Sequence, residues 1–233
     1  MATLAETVAD ALLDAVVAGR YPAGTALPPE GELATAHGAS RLTVREAVRI
    51  LRATNVLEVR RGLGTYVTPP ERWRSLDLLV RTHDTDGAGP AVPELLLEAR
   101  RMVEVGAARL AALRRTEEHL TALRAGVEEM RAASTAGEVD RFVDADIAFH
   151  DTVMRATGNV FVPFLLEPFG ALLVAARRQT SSVPRIRDNA VAEHARIIDA
   201  LTAADPDLAR DAMESHMNQT LSDLREHVLG TGS

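Results

Sequence analysis

The sequence predicts a mainly α-helical protein with two domains: a small N-terminal one that contains a single β-hairpin, and a larger C-terminal helical bundle. A chain of 233 residues is long enough for both. Two prolines in PPERWR (69–74) end a β-like run, and a helical pattern begins after them. From residue 93 onward, apolar residues recur only at helical spacing. The predicted domains are therefore residues 1–70 and residues 71–233.

The composition excludes several classes of protein. The chain has no cysteine, so it holds neither disulfides nor reactive thiolates, which suits a reducing compartment. Acidic residues interrupt the first twenty positions, which argues against a signal peptide. The most apolar stretch, residues 156–176, contains Glu167 and two prolines and is too interrupted to span a membrane. We therefore expect a cytoplasmic protein without a membrane segment.

The N-terminal elements follow from local patterns. LAETVADALLDAVVAG (4–19) repeats apolar residues at helical spacing and stops at a glycine. A short helix is expected at 30–37, then a turn at Gly38, then a longer helix with Ser40 as its N-cap. VLEVRRGLGTYV (56–67) predicts a hairpin whose two glycines lie in the turn.

The stretch EGELATAHGASRLTVREAVR (30–49) has the pattern of a helix-turn-helix. Ala34 is small enough for two helices to approach closely, Gly38 accepts the left-handed backbone of the turn, and Val44 packs the second helix onto the first. The opposite face of the second helix carries three arginines spaced four apart: Arg41, Arg45 and Arg49. Guanidinium groups in this row can contact phosphates or pair bidentately with guanine in the major groove of DNA.

Two further features complete this candidate DNA surface. Ser40 and Thr43 lie at the N-terminus of the second helix, where hydroxyl and free amide groups suit phosphate. Arg61 and Gly62 at the hairpin tip can act as a wing in the neighbouring groove. Although the chain has a net charge of −7, residues 41–61 contain six arginines against two glutamates, a local charge of +4. The alternative interpretation is a solvated basic helix.

This region resembles the winged helix of the GntR family of bacterial transcription regulators. The resemblance rests on LPPEGELA, SRLTVREA and GLGTYV, and it covers about residues 20–68. It implies a regulator that binds double-stranded operator DNA. Two positions depart from the family pattern. Gly31 replaces a common arginine, which weakens the case for a DNA contact from the first helix, and Asn55 replaces a glycine where a left-handed asparagine is tolerated.

The C-terminal domain is predicted to contain six helices joined by short links. Their approximate ranges are 94–114, 117–134, 138–157, 160–181, 187–204 and 206–228. The stretch THDTDGAGPAVP (82–93) precedes them and is rich in turn residues. It is therefore predicted to be a loop between the two domains.

DIAFH (146–150) places a carboxylate and an imidazole on the inward face of the third of these helices. Val143, Asp146, His150 and Val153 share one stripe, and the two valines mark it as the buried side. Burying an unpaired carboxylate and imidazole is unfavourable by several kcal/mol. The two residues therefore either form a buried hydrogen bond with each other or belong to a larger site.

His194 and His216 are the candidate partners. His194 shares an inward stripe with Val191 and Ile198, and His216 lies beside a stripe that contains Met213. If the three helices pack together, one aspartate and three imidazoles converge. That donor set suits a borderline divalent ion such as zinc, nickel or manganese, with positions left open for water or an oxygen-bearing ligand.

From residue 93 the chain is similar to the all-helical FCD-type effector domain of FadR-type GntR regulators. The similarity rests on EARRMVE (98–104) followed by AARLAA, on DIAFH followed by ATGN, and on the later EH and SH pairs. In the metal-binding branch of that subfamily, four metal ligands occupy these motif positions, which here are Asp146, His150, His194 and His216. The resemblance implies a bound divalent metal, with zinc favoured over nickel and manganese.

The same resemblance implies two contacts to an effector, Arg100 and Asn159. The guanidinium of Arg100 would bind a carboxylate bidentately, and its alternative role is a salt bridge with Glu104 one turn away. Asn159 would hydrogen-bond the effector, and its alternative role is to cap the next helix.

Together these features predict a homodimeric transcription regulator that is not an enzyme. Each subunit would bind one half-site of operator DNA, and a small carboxylate effector would release it, so that the protein acts as a repressor. One alternative is a regulator that binds an acyl or carboxylate ligand without metal, in which Asp146 and the histidines form a polar network. The other is a metal-dependent hydrolase, although no candidate general base stands out.

Overall fold

Residues 1–89 form the first of two compact units in the computed structural model, and residues 90–233 form the second. The structure describes residues 3–74, 76, 78, 80 and 91–230. The predicted loop at 82–93 lies outside the described residues except for its last three, of which Ala91 is the N-cap of a helix and Val92 and Pro93 already belong to that helix. The mainly α-helical fold class that the sequence predicts is confirmed.

The first unit includes three α-helices and one hairpin, followed by a 3-10 turn at Pro70–Arg72. These are α1 (Leu4–Val17), α2 (Glu30–Ala36), α3 (Arg41–Ala53), β1 (Leu57–Arg60) and β2 (Gly64–Val67). β1 and β2 pair antiparallel, with Leu57 opposite Val67 and Arg60 opposite Gly64. The three helices and the hairpin bury their apolar side chains in one shared core.

Backbone conformation at three positions explains how these elements are joined. The Ser40 hydroxyl accepts a hydrogen bond from the Thr43 amide and caps α3. Gly38 adopts a left-handed backbone with φ of 58°, which glycine does without strain. Asn55 is also left-handed, with φ of 64°, in the place where the family pattern has glycine. α2 and α3 therefore form a helix-turn-helix that the hairpin follows directly.

The second unit is a helical bundle. Its helices are α4 (Val92–Arg114), α5 (Glu117–Ala136), α6 (Val139–Ala156), α7 (Gly170–Ser181), α8 (Pro184–Thr202) and α9 (Pro206–Leu224). α4 packs against α6 and α9, and α5 packs against α6 and α8. The apolar core draws buried residues from every one of these helices except α7.

Residues 160–181 do not form the single helix that the sequence predicts. Two 3-10 turns precede α7: Val162–Phe164 and Glu167–Phe169. Pro163 and Pro168 cause this difference, because proline lacks the amide hydrogen of a continuous helix and restricts the residue before it. Between residues 158 and 180 only Arg177 is buried. This segment therefore lies lightly packed on the bundle.

Two helix ends also differ from the prediction. α8 begins at Pro184 rather than at 187, because proline suits the first position of a helix. α9 ends at Leu224 and is followed by one π-helical turn, Arg225–Leu229. None of the described helices is both long enough and apolar enough to span a membrane.

Candidate functional site

Four polar side chains from three helices meet inside the second unit. Asp146 and His150 extend from α6, one turn apart, while His194 extends from α8 and His216 from α9. All four are buried, and His194 has no exposed surface. The imidazole rings of His194 and His216 lie 4.5 Å apart between centroids. The bundle thus brings together the four residues that the sequence singles out as metal ligands.

The donor atoms of these side chains lie at distances that suit one metal ion. Nε2 of His150 is 3.2 Å from Nε2 of His194, and Oδ1 of Asp146 is 3.4 Å from Nε2 of His194 and 3.8 Å from Nε2 of His150. The three histidines, including His216, each offer a nitrogen within 4.8 Å of the other two. A tetrahedral ion with bonds of about 2.1 Å holds its ligand atoms about 3.4 Å apart. The residues present therefore fit a divalent metal.

Two of the imidazoles are neutral at neutral pH, which is the form that binds a metal. Burial lowers the pKa of His194 to about 3, although the carboxylate of Asp146 partly opposes this. Burial also lowers the pKa of His216 well below its ordinary value, and the neighbouring His194 and His150 add to the effect. No proton has to be removed from either residue before it can bind a metal near pH 7.

Asp146 stays ionised because Arg177 on α7 pairs with it. Burial would raise the pKa of this carboxyl, but Arg177 and the imidazoles outweigh burial and hold the pKa well below its usual range. Nε of Arg177 donates a hydrogen bond to Oδ2, while Oδ1 faces His150 and His194. One oxygen of the carboxylate can therefore bind a metal while Arg177 orients the other.

Glu104 on α4 contacts His150 from the opposite side. Its Oε2 lies 2.5 Å from Nδ1 of His150, and its Oε1 accepts a 2.7 Å hydrogen bond from Nε of Arg100. Burial opposes ionisation of Glu104, but Arg100 and His150 hold its pKa well below the usual value. A carboxylate at Nδ1 directs Nε2 of the same ring toward the other donor atoms, as happens behind many histidine ligands of metals. Arg100 thus forms the salt bridge that the sequence left as an alternative.

A recess lies next to these residues, and two arginines line one of its ends. Arg100, Asp146, Arg177 and His216 line that end. Both arginines are almost fully buried, and Nη2 of Arg100 lies 3.3 Å from Nε2 of His150. The recess measures about 660 Å³ up to its opening to solvent. Two guanidinium groups beside the histidines can bind an anion such as a carboxylate.

Asn159 does not reach this recess. Its side chain is exposed, and its Oδ1 accepts a 3.0 Å hydrogen bond from the amide of Phe161. It borders a separate depression together with Asp151 and Arg155. Its position therefore does not support the effector contact that the resemblance implies, and the side chain caps the turn that follows it.

The residues predicted to contact DNA lie on the first unit. On α3 they are Ser40, Arg41, Thr43, Arg45 and Arg49, and in the hairpin turn they are Arg61 and Gly62. All of these arginines are exposed. Gly62 adopts a left-handed backbone with φ of 77°, which turns the hairpin. The surface is thus available to a partner molecule.

Two arginines of the α3 row are paired with glutamates in the protein alone. Nη2 of Arg45 lies 2.8 Å from Glu30, and Nη2 of Arg49 lies 2.6 Å from Glu46. Because both pairs are exposed to solvent they are weak, so a phosphate or a base can replace the glutamate. Among the described residues, Arg61 has no ion-pair partner.

Gly31 in α2 leaves space that Arg41 occupies. A β-carbon at position 31 would lie 3.2 Å from Nη2 of Arg41, which is closer than ordinary van der Waals contact. A larger side chain there would displace the guanidinium of Arg41. The departure of position 31 from the family pattern thus changes where this arginine lies.

Two family models match the chain. The model described as "Bacterial regulatory proteins, gntR family" matches residues 4–67, and the model described as "FCD domain" matches residues 95–219. The chain belongs to the GntR family of bacterial transcriptional regulators.

This GntR-family regulator is similar to named regulators over most of its length. It is 30% identical over 220 residues to the galactonate operon transcriptional repressor of Escherichia coli (strain K12), covering 91% of this chain and 92% of that one. It is 31% identical over 213 residues to the regulator LutR of Bacillus subtilis (strain 168), covering 85% and 91%. These relatives are transcriptional regulators and not enzymes, so the hydrolase alternative is excluded.

The fold of the GntR-family regulator is similar to that of a solved relative. The structure of Lar, which controls the expression of the Listeria monocytogenes agr system, covers 97% of this chain and 99% of its own. The TM-score is 0.58 at 19% identity. The two chains thus share a fold.

We expect the metal-free regulator to lose stability as the pH falls below about 6.5. In the unfolded chain His194 and His216 take up protons near that pH, whereas burial keeps both neutral in the folded protein, His194 down to a pKa of about 3. The unfolded state then binds more protons, so the free energy of unfolding falls by up to about 1.4 kcal/mol per pH unit for each imidazole. Urea unfolding in the presence of a chelator at pH 7.5, 6.5 and 5.5 measures this slope.

A matched variant distinguishes the contribution of the histidines to this pH dependence from that of the acidic groups. His194→Gln removes one of the two imidazoles and should make the slope between pH 6.5 and 5.5 shallower, because Asp146 and Glu104 take up protons only at lower pH. Equal free energies of unfolding at pH 7.5 and 5.5 in the parent would contradict the prediction.

Proposed function

We propose that this GntR-family regulator is an effector-responsive repressor of the FadR subfamily, in its metal-binding branch. Residues 1–70 bind operator DNA, and residues 71–233 bind a divalent metal and a small carboxylate effector. The protein acts as a homodimer, so that each subunit contacts one half-site of a two-fold symmetric operator.

The observation that carries the metal part of this proposal is the spacing of the donor atoms. Oδ1 of Asp146 and Nε2 of His150 and His194 are 3.2 to 3.8 Å apart, close to the separation in a tetrahedral site. His216 completes a set of one oxygen and three nitrogens, which suits zinc best and also accepts nickel or manganese. When bound, the metal would supply a Lewis-acidic position for an oxygen of the effector.

The charges around the recess favour an anionic effector. Arg100 and Arg177 are balanced by Glu104 and Asp146, so these four buried groups have no net charge. A divalent ion adds two positive charges that remain uncompensated. A carboxylate supplies negative charge at the metal, and the guanidinium of Arg100 can bind it bidentately.

The direction of regulation is proposed from a relative. The Escherichia coli relative is named a galactonate operon transcriptional repressor, and 92% of it aligns with this chain. Its name joins repression to galactonate, which is a hydroxylated acid. We therefore propose that the effector lowers the affinity of this regulator for its operator.

An operator-release experiment tests this function. An operator is first selected from a random duplex library, labelled with a fluorophore and bound to the regulator. Small carboxylates are then titrated while anisotropy is followed. We expect at least one acid to release the DNA from zinc-loaded protein, and an Arg100→Ala variant to require at least about 30-fold more of it, because a charged, bidentate hydrogen bond is lost.

Arg101→Ala is the matched control for Arg100→Ala. Arg101 is the next residue on α4, but it is exposed and pairs with Glu214 outside the recess. The Arg101→Ala variant should release the DNA at the same acid concentration as the parent does. Release that is unchanged after the metal has been removed would contradict the role of the metal. If no acid releases the DNA, the effector part of the proposal is wrong.

A further inference from the structure

The recess has a second end that the metal and Arg100 do not occupy. Two ion pairs show that α4 and α9 run antiparallel: Arg101 pairs with Glu214, and Glu94 pairs with Arg225. The start of α4 therefore lies beside the end of α9, on the side away from His216. This second end, called the distal end below, is lined by Pro93, Leu96, Thr180, Ser181, Ile186, Gln219, Thr220, Asp223 and Leu224.

The length of the recess follows from α9. His216 and Asp223 both line it and are seven residues apart on this helix, which corresponds to about 10 Å along the axis. A metal–oxygen bond of about 2 Å and a hydrogen bond of about 2.8 Å together take up about 5 Å of that length. The remaining distance corresponds to an extended chain of five or six carbons. A three-carbon acid bound at the metal would not reach Asp223.

Asp223 is a buried carboxylate at the distal end. It is 4% exposed and forms no ion pair with any described residue. Its hydrogen-bond donors are amides: Nδ2 of Asn189 lies 3.1 and 3.2 Å from its two oxygens, and Nε2 of Gln219 lies 3.0 Å from Oδ1. Because a carboxylate has about four lone-pair sites, Asp223 can accept a further hydrogen bond from a ligand.

The other polar groups of the distal end are also mainly acceptors. The hydroxyl of Thr220 donates to the carbonyl of His216, and the hydroxyl of Thr180 donates to the carbonyl groups of Ala176 and Arg177. Both hydroxyl oxygens therefore keep lone pairs for a ligand but have already used their hydrogens. The amide of Gln219 donates to Asp223 and keeps its own carbonyl oxygen.

The acceptor groups of the distal end determine which kind of effector tail can bind there. An apolar tail would leave Asp223 without compensation, and a second carboxylate would place like charges together in a buried space. A tail with hydroxyl groups supplies the donors that the distal end needs, and its carbon atoms can pack on Leu96, Ile186 and Leu224.

We propose that the effector is a monocarboxylate of five or six carbons with hydroxyl groups on its distal half, and that Asp223 recognises those hydroxyl groups. The inference rests on the proposed function, because it places the carboxylate of the effector at the metal and Arg100. An ammonium group would also donate to Asp223. Hydroxyl groups fit better, because they can donate to Asp223 and also accept from the second amide hydrogen of Gln219, whereas an ammonium group can only donate.

A series of six-carbon acids tests the proposal by isothermal titration calorimetry on zinc-loaded protein, or on nickel- or manganese-loaded protein if zinc is not retained. The series is D-gluconate and D-mannonate with hydroxyl groups, 6-aminohexanoate with a distal ammonium, hexanoate with an apolar tail, and hexanedioate with a second carboxylate. We expect at least one of the two hydroxylated acids to bind at least tenfold more tightly than the other three. Tighter binding of any of those three would overturn the proposal and identify the tail that the distal end prefers.

Asp223→Asn tests the residue itself, with Glu226→Gln as the matched control on the exposed surface two residues beyond α9. The asparagine variant should bind the hydroxylated acid at least fivefold more weakly and hexanedioate more tightly, whereas the control should match the parent. A gain for hexanedioate is not expected from mere loosening of the fold. Equal affinities in the asparagine variant and the parent would overturn the role of Asp223.

Binding of L-lactate distinguishes a failure of this proposal from a failure of the proposed function. Because lactate reaches only the metal and Arg100, its affinity should be the same in the parent and in Asp223→Asn. If lactate binds and neither hydroxylated six-carbon acid does, the metal–carboxylate site stands and the inference about the distal end is wrong. If no acid binds at all, both proposals are wrong.

Discussion

Replacing His150 with alanine is expected to remove the metal from the protein. Untagged parent protein, purified without chelator or added metal, should carry close to one divalent ion per chain, and the variant less than about a tenth of that. The substitution deletes the Nε2 atom that lies 3.2 Å from Nε2 of His194 and leaves the carboxylate of Glu104 without its imidazole partner. Elemental analysis by mass spectrometry measures the metal content directly.

Stability supplies a second readout for the same site. A metal that binds only the folded protein raises the melting temperature, so a chelator should lower it in the parent and leave it unchanged in His150→Ala. His37→Ala makes the same chemical change at the C-cap of α2, far from these ligands in sequence, and should keep its metal. If His150→Ala folds poorly, His216→Gln keeps most of the side-chain volume and should show the same loss.

The outcome that contradicts the metal site is equally specific. Folded His150→Ala and His216→Gln proteins that keep a full equivalent of metal would show that these residues are not ligands. A parent protein that takes up no zinc, nickel or manganese would make Asp146 and the three histidines a buried polar network. The search for the effector would then continue with ligands held by Arg100 and Arg177 alone.

Replacing Arg45 with alanine is expected to weaken operator binding by about 100-fold or more. A bidentate arginine–guanine contact is worth about 1–3 kcal/mol, and a dimer on two half-sites loses that contact twice. Arg45 is exposed near the middle of α3 and pairs with Glu30 in the protein alone, so DNA has only to replace an exposed ion pair. Fluorescence anisotropy with the selected operator measures the change.

Two variants control this measurement. Arg20→Ala removes the same charge from an exposed position of the first unit that belongs to neither α3 nor the hairpin, and it should bind within about twofold of the parent. Glu30→Gln removes the competing carboxylate and should bind at least as tightly as the parent. Unchanged affinity in a folded Arg45→Ala protein would show that α3 does not lie in the major groove as proposed.

Local patterns in the sequence were enough to predict most of the helices and turns of the first unit. The glycine at 38, the Ser40 cap and the glycines of the hairpin act through the backbone of neighbouring residues, so their effect can be read along the chain. Helical periodicity also identified the inward stripe that carries Asp146 and His150. It failed at 160–181, where two prolines interrupt an apolar run that otherwise reads as one helix.

The sequence by itself determined which side chains point into the bundle, because a helix of 3.6 residues per turn fixes the face on which each residue lies. It could not determine which inward side chains meet, because that depends on how helices far apart in the chain pack. Only the tertiary structure placed Arg177 against Asp146, Glu104 against His150 and Asp223 at the distal end of the recess. Each of these acts through a charge or hydrogen bond to another helix, and no local pattern records such a contact.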